Sequence, residues 1–483
     1  MSRREKIVLL AAQVLKNTLA QPSAKVLILA TNVLLITVLL VGFFNLTEHF
    51  DQTHALGSEV REQWENSPDK HPHRMAHYGY LVFREKFPLA FFDYGLDSYL
   101  GNVIFLEAHK QNTVNFSEAN LSNGLLRFGE LSAGMVLQVL VPLLIFFWGY
   151  DLISRDREQG TLKILFTQGV TGLELVWGRV LGLFLVSLSL IGIPVLLGFA
   201  LLFFHPETEL IGQSFLQYFV LIFGYLIYFL ILCLIAAGVS SKSQSSKASL
   251  ISLIGCWLMF TLIIPKVAQV VGQAVYPTPS KIEFDTAVEE ELIRQGDSHN
   301  PNDPHYAALK DSLLRAYGVD STKQLPFNYS GYVMREGERL STQTFLNHQK
   351  NLVDQYKSQH QVIGLASWLD PFLAIKKLSM GFSGTDYEMY LSFQDQAEAY
   401  RYQLAQTMNE LQIELISNRV NNSSDPAARL SSDYWEQFPD FHPRFLSADE
   451  VSANQLDTLL VLVLWMALLA VFISYLSNRI NVF

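Results

Sequence analysis

Six stretches of this chain drop the alternation of polar and apolar positions and run almost wholly apolar: Val26–Phe44, Leu131–Tyr150, Val180–Phe204, Phe215–Ala237, Ala248–Val271 and Leu459–Leu476. A helix of roughly 20 apolar residues crosses the hydrocarbon core of a bilayer, so each predicts a transmembrane helix. None carries Asp, Glu or Arg in its middle, and Lys266 falls toward the end of the fifth. Ahead of the first run, Ile7, Val8, Leu10, Ala11, Val14 and Leu15 make one apolar stripe at helical spacing. Residues 1–25 therefore read as an amphipathic helix lying on a membrane surface.

Two large connections separate the runs. Residues 45–130 mix short elements with turn residues, and residues 273–457 carry helical periodicity. After Pro277 and Pro279 a charged helix runs to about Gly296, and Pro301 and Pro304 break it. A second helix ends near Gly318, and Pro326 marks another break. Two long helices follow, about Tyr332–Leu365 and Tyr387–Val420. The latter spaces Phe393, Ala397, Tyr400, Leu404, Met408, Leu411 and Leu415 by fours and threes, a seam that calls for a partner helix. Trp368-Leu369-Asp370-Pro371 and Gly381–Asp386 bring the chain back between them, which predicts an antiparallel hairpin. The expected fold class is an all-α integral membrane protein. It has six transmembrane helices and two extracytoplasmic segments, the larger mainly a helical hairpin.

Composition agrees: half the residues are apolar and only 17% are charged, outside the range of ordinary soluble domains. Charge sets the orientation. Arg3, Arg4, Lys6, Lys16 and Lys25 precede the first run against one acid, Glu5, and the 240–247 turn carries Lys242 and Lys247 with no acid. The 205–214 turn carries Glu207 and Glu209 with no base. Because basic connections stay inside, both termini, the 151–179 loop and the 240–247 turn are expected in the cytoplasm. Residues 45–130 and 273–457 are expected outside. Both are net acidic, so the overall charge of −10 belongs mainly to the outer face and argues against a nucleic-acid partner. A cleavable signal peptide is not expected, because the first run is too long for one and no small-x-small site follows closely. Cys233 and Cys256 both fall inside apolar runs. Neither can staple an outer segment or join a zinc site.

The chemistry-bearing motif is the loop between the second and third runs. It opens with the charged run Arg155-Asp156-Arg157-Glu158, passes Gly160-Thr161, and continues Leu162-Lys163-Ile164-Leu165-Phe166. Such a loop is too long for a tight turn and too short for a domain, which suits a docking strut. It resembles the permeases of type-2 ABC transporters, whose loop at this place carries Glu-x-Gly-Thr-Leu and inserts into a groove of the ATPase. Glu158, Gly160, Thr161 and Leu162 match that motif. The resemblance implies that Arg155, Arg157, Glu158, Gly160, Thr161 and Leu162 couple to an ABC ATPase subunit. It also implies a second permease half, homo- or heterodimeric, membrane lipid around the spans, and a periplasmic partner for the outer segments. ATP and magnesium would then belong to the partner ATPase, with no cofactor in this chain. The expected activity is export across the bacterial inner membrane. The alternatives are a mechanotransmitting complex, or a copper-enzyme maturation permease, that drives periplasmic change without moving solute.

The chain further resembles the subgroup with a DUF3526-type outer region. It does so through His77-Tyr78-Gly79, Leu106-Glu107-Ala108-His109, Arg127-Phe128-Gly129, Trp368-Leu369-Asp370-Pro371 and Gly384-Thr385-Asp386. Phe92-Asp93-Tyr94-Gly95 departs from it where Asp-Pro-Gly is expected. His77, His109, Trp368, Asp370 and Pro371 are read as structural anchors of the outer segments. His71, His73, Met75 and His77 invite a metal reading, since imidazole and thioether suit copper. Pro72 and Arg74 interrupt the set, and no metal is expected there. No phosphate-binding G-x-x-x-x-G-K-[ST] loop, H-E-x-x-H helix or G-x-S-x-G elbow occurs, so the chain is not expected to be an enzyme.

Overall fold

Six helices are long and apolar enough to cross a membrane: Pro22–Glu65, Ala133–Glu158, Gly172–Phe204, Ile211–Lys242, Ser246–Val275 and Ala448–Ser477. They are called the first to sixth spans below. The computed structural model describes residues 1–112, 131–296, 300, 303–420 and 425–479. Arg127-Phe128-Gly129 lies outside them. The fourth span is the hub. Tyr225, Phe229, Ile231, Leu232, Cys233, Leu234, Ala236 and Ala237 are buried along it, against the second, third and sixth spans. Small residues allow that closeness: a Cβ on Gly149 would lie 2.6 Å from Ala236 Cβ. The fifth span sits at the edge, with Ile251, Leu262, Val267 and Val270 exposed.

Prolines shape two spans. Pro142 follows a π-helical turn at Val136–Leu140, and Pro265 follows another at Met259–Ile263. A proline removes one N–H and crowds the carbonyl four residues back, and the wider π turn makes room for it. Pro194 stays inside one continuous helix, Gly172–Leu201.

The N-terminal helix, Arg3–Ala20, starts at a capping box in which Ser2 and Glu5 satisfy each other's amides. Its stripe does not simply face lipid. Leu10, Ala11 and Val14 are buried against the third span. Gly178 and Gly182 let the two backbones meet, because a Cβ at either would lie 2.5 Å from Leu10 Cβ or Val14 Cβ respectively. Val8 points away and is exposed.

The first span does not stop at Phe44. It continues as one 44-residue helix to Glu65, about 66 Å at 1.5 Å per residue. Its far end enters a second core, where Trp64 Nε1 donates to the Trp435 carbonyl at 3.1 Å. That core also holds Met75 and Ala76 from the short helix Pro72–Ala76. It takes Tyr80, Val82, Ile104 and Leu106 from an antiparallel ribbon, β1 (Tyr80–Phe83) with β2 (Val103–Leu106). The ribbon departs from an all-α fold.

Past the fifth span come helices Lys281–Gln295, Pro304–Tyr317, Tyr329–Ser367, Pro371–Ser383 and Tyr387–Leu415. Their starts are written in caps: Ser280 with Glu283, Asp303 before Pro304, Asn328, Asp370 before Pro371, and Asp386. Two expectations are corrected. The apolar seam of Tyr387–Leu415 does not face the other long helix. Phe393, Ala397, Tyr400, Leu404 and Met408 enter the second core with Trp64, Trp435 and the ribbon. Tyr329–Ser367 takes the polar flank instead, through Gln406 Nε2 to the Arg335 carbonyl (3.2 Å) and Gln412 Nε2 to Asn328 Oδ1 (3.3 Å).

The second correction concerns the return between the long helices, which is itself a helix. Pro371–Ser383 buries Phe372, Leu373, Ala374, Ile375, Leu378 and Phe382 against the fourth and sixth spans. It ends on Gly384 at φ 68, a left-handed position that favours glycine. Its N-terminal end sinks beside the sixth span, where Trp465 Nε1 donates to the Trp368 carbonyl at 3.1 Å. The hairpin is therefore a three-helix unit whose middle member is packed into the span bundle.

Candidate partner-docking surface

The second span turns at Tyr150–Ile153, ends in the short helix Ser154–Glu158, and is followed by another, Thr161–Thr167. Gly160 joins them at φ 72 with open space around its Cα. Each member of the charged run has a defined partner. The backbone amides of Ile153 and Ser154 donate to Ser240 Oγ at 3.0 and 3.1 Å. Asp156 accepts from Arg179 at 2.8 Å and from Thr161 Oγ1 at 2.9 Å. Arg157 donates to the Ser241 carbonyl at 2.6 Å and to the Ser243 carbonyl. Glu158 accepts from the Ser246 amide at 3.0 Å and the Ser246 hydroxyl at 2.6 Å, so it holds the first turn of the fifth span. Leu162 is buried with Leu10 and Leu175.

The six motif residues therefore divide. Arg157, Glu158 and Leu162 brace the loop against the fourth, fifth and third spans and the N-terminal helix. Thr161 bonds within the loop to Asp156, and Glu158 stays exposed while tied to Ser246. Arg155 and Gly160 face outward, with Gln159, Lys163, Ile164 and Thr167 beside them. Among the described residues Arg155 pairs with Asp151, at 3.6 Å on the surface, a contact of small energetic weight. The result is a stiff knob with a mixed basic and apolar crown. Within the Arg155–Glu158 run expected at the contact face, Arg155 and Glu158 are exposed and Asp156 and Arg157 are half-buried.

The remaining predicted residues fall in two other places. Asp370 is fully buried and caps Pro371–Ser383 by accepting from the Phe372 amide at 2.9 Å. Pro371 fills the first turn of that helix, and Trp368 stands half exposed at its tip. His77 and His109 meet at the second core. Ala108 N donates to the Ala76 carbonyl at 3.2 Å, which sets the next residues of the two segments side by side. His73 joins them, with ring centroids 4.7 Å from His77 and 5.5 Å from His109; His77 and His109 stand 5.4 Å apart. His71 and Met75 do not belong to this group, which corrects the His71–His73–His77 set. The His71 ring caps the short helix by accepting from the His73 amide at 3.2 Å, and Met75 is core.

Behind His109 stands a buried charge network. One oxygen of Glu338 accepts from the His109 amide at 2.8 Å and lies 2.9 Å from His109 Nδ1. The other accepts from Arg401 at 2.6 Å. Burial pushes the Glu338 carboxyl up, but His109 and Arg401 outweigh it and hold the group down at about 2.

Sequence reasoning missed one site altogether. Asp93 is buried where the first connection folds onto the bundle. It accepts from Ser379 Oγ, from Gln138 Nε2 at 3.0 Å and from the Gly95 amide at 3.2 Å. Tyr225 OH closes the ring by donating to Ser379 Oγ at 2.9 Å. The available signal was Gln138, a lone amide inside an apolar run.

Residues 281–444 match the family described as a domain of unknown function (DUF3526). The match runs from helix Lys281–Gln295 through Tyr387–Leu415 and includes Glu338, Arg401 and the bundle-packed Pro371–Ser383. No curated protein matches the chain.

Proposed function

We propose that the chain is the permease subunit of a type-2 ABC exporter in a bacterial inner membrane, moving a substrate with ATP hydrolysed by a separate ATPase subunit. Its termini and the knob at Ser154–Thr167 lie in the cytoplasm, and the two large connections lie in the periplasm. A second permease half completes the pathway. The observation that carries this reading is the knob itself: rigidly tied on its inner side, open on its crown, and reaching three spans through side-chain bonds. A partner closing on the crown of Arg155, Gly160 and Ile164 pushes a part that cannot yield locally. The push passes through Glu158 to the fifth span, through Arg157 to the turn after the fourth, and through Asp156 to Arg179 on the third. A ligand drives such a change only through a difference in contact between two states. The crown supplies that contact, and the inner ties transmit it. A second reading, a mechanical device without solute flow, draws on the unbroken helix from Pro22 to Glu65, which joins the bundle to the second core.

The test uses Ile164→Asp and Arg155→Glu, which change the crown and leave every inner tie intact. We expect an ABC ATPase subunit that co-purifies with the parent chain from native membranes to be lost with either variant while membrane insertion is unchanged. Retention of the ATPase by the double variant refutes the docking surface. Transport in reconstituted vesicles then separates the two readings: ATP-dependent solute movement supports export, and hydrolysis without it supports the mechanical device.

A further inference from the structure

We propose that His73, His77 and His109 form a binding site for a divalent transition-metal ion of the zinc and copper class, independent of the transport reading. One ligand atom from each lies within 4.8 Å of the others. Three imidazoles are a ligand set for such ions and leave a further coordination position open. At metal–nitrogen distances of about 2.0–2.1 Å, tetrahedral ligand nitrogens stand about 3.4 Å apart. Binding therefore needs the rings to close by no more than about 1.4 Å.

Three features separate this group from histidines that merely meet in a core. First, His73 and His77 are four residues apart on one short helical turn, so both rings project from the same face. Second, His109 has φ 61 and is the non-glycine residue held in the left-handed region among the described residues. Its tight turn is closed by the Glu107–Lys110 bridge. Glycine would sit there without strain, so the imidazole is kept at a backbone cost. Third, Nδ1 of His109 is engaged by the buried carboxylate of Glu338 at 2.9 Å. That fixes the ring and leaves Nε2 as its ligand nitrogen. A carboxylate behind a ligating imidazole is the arrangement that orients metal-bound histidines. His77 is exposed and the other two are half-buried, so an ion can enter. Met75 is turned into the core, which removes the thioether and leaves an all-nitrogen set. A bound ion would lock the 107–110 turn onto helix Pro72–Ala76 and, through Glu338, onto Tyr329–Ser367.

The experiment uses the full chain in nanodiscs, without a histidine tag, titrated with Zn²⁺ by calorimetry and with Co²⁺ by visible absorption. Binding of one ion per chain is expected, with ligand-field bands of four-coordinate intensity for Co²⁺. His73→Gln, His77→Gln and His109→Asn should each weaken Zn²⁺ at least tenfold. Asn tolerates the left-handed backbone at 109. His71→Asn keeps the helix cap and should bind as the parent does. His77 is exposed at a helix end, so His77→Gln tests the site even where His109→Asn disturbs folding. Absence of one-to-one binding, or equal affinity in the parent and all three ligand variants, overturns the assignment.

Discussion

Removing Arg401 is the sharpest test of how the region matching DUF3526 is held together. Its side chain is 1% exposed and faces Glu338, which is 0% exposed, at 2.6 Å. Arg401 also donates to Thr342 Oγ1 at 2.7 Å and to both oxygens of Glu398 at 2.8 Å. Arg401→Met keeps only the aliphatic stem of the side chain and leaves two carboxylates facing each other without a cation. Breaking a buried pair in this way costs about 3–5 kcal/mol. The lower end applies, because His109 still bonds Glu338 through its amide and ring. A loss of about 3 kcal/mol corresponds to a change of roughly 150-fold in an opening equilibrium. Hydrogen exchange on the full chain in detergent reads this directly as faster exchange of amides in Tyr387–Leu415 and Tyr329–Ser367. The fourth span, Ile211–Lys242, should keep its protection, since its core is separate. Adding Glu338→Gln to Arg401→Met removes one of the stranded charges and should recover part of the loss. Protection within threefold of the parent, or a loss equal in the fourth span, refutes the idea of a locally self-sufficient charge network.

Ser379→Ala takes a hydroxyl from buried Asp93 and should cost about 1–3 kcal/mol. A thiol dye that reacts when buried Cys233 becomes exposed will show a lower melting temperature, and an unchanged midpoint would count against the Asp93 latch. Gly182→Val places a side chain within 2.5 Å of Val14 Cβ and 2.8 Å of the Ala11 carbonyl. The N-terminal helix should lift off the third span, read as trypsin cleavage at Lys16 under conditions that spare the parent. Burial, helped by Glu388, pushes the Asp386 carboxyl up to about 6, above its unfolded value of about 3.9. The folded state thus keeps a proton that the unfolded chain releases. Its contribution is full below pH ~4 and is lost as pH rises through ~6. Asp386→Asn preserves the cap on the Met389 amide and should flatten melting temperature across that window; an identical slope would sink the assignment.

The six spans were legible because twenty consecutive apolar residues have few other fates. The caps, Ser280 with Glu283 and Asp370 before Pro371, are local chemistry that the sequence carries but the reading of it did not use. What failed was choice of partner. Phe393 to Met408 announce a buried face, yet periodicity says nothing of whether that face meets a helix or the Trp64 and ribbon core. Pro371–Ser383 escaped because thirteen residues are too few to register as a span, although Phe372-Leu373-Ala374-Ile375 already carried an apolar face. The loop we propose as the docking surface was located by its motif. Which side chains turn inward depends on Ser240, Ser243 and Ser246, some 85 residues later, and no local rule reaches that far. His109 could not be joined to His73 and His77 for the same reason. Only the Ala108 to Ala76 bond, made in the folded chain, brings it there.

One helix, Pro22–Glu65, begins beside the N-terminal helix and ends with Trp64 clamped beneath Trp435. A stiff rod of that length converts angle into travel. If it pivots near Phe44, about 30 Å of shaft lies beyond the fulcrum, so a rocking of ten degrees sweeps Trp64 through roughly 5 Å. The ribbon that shares a core with Trp64 would ride on that swing, turning small adjustments among the spans into displacements of several ångströms at a distant surface.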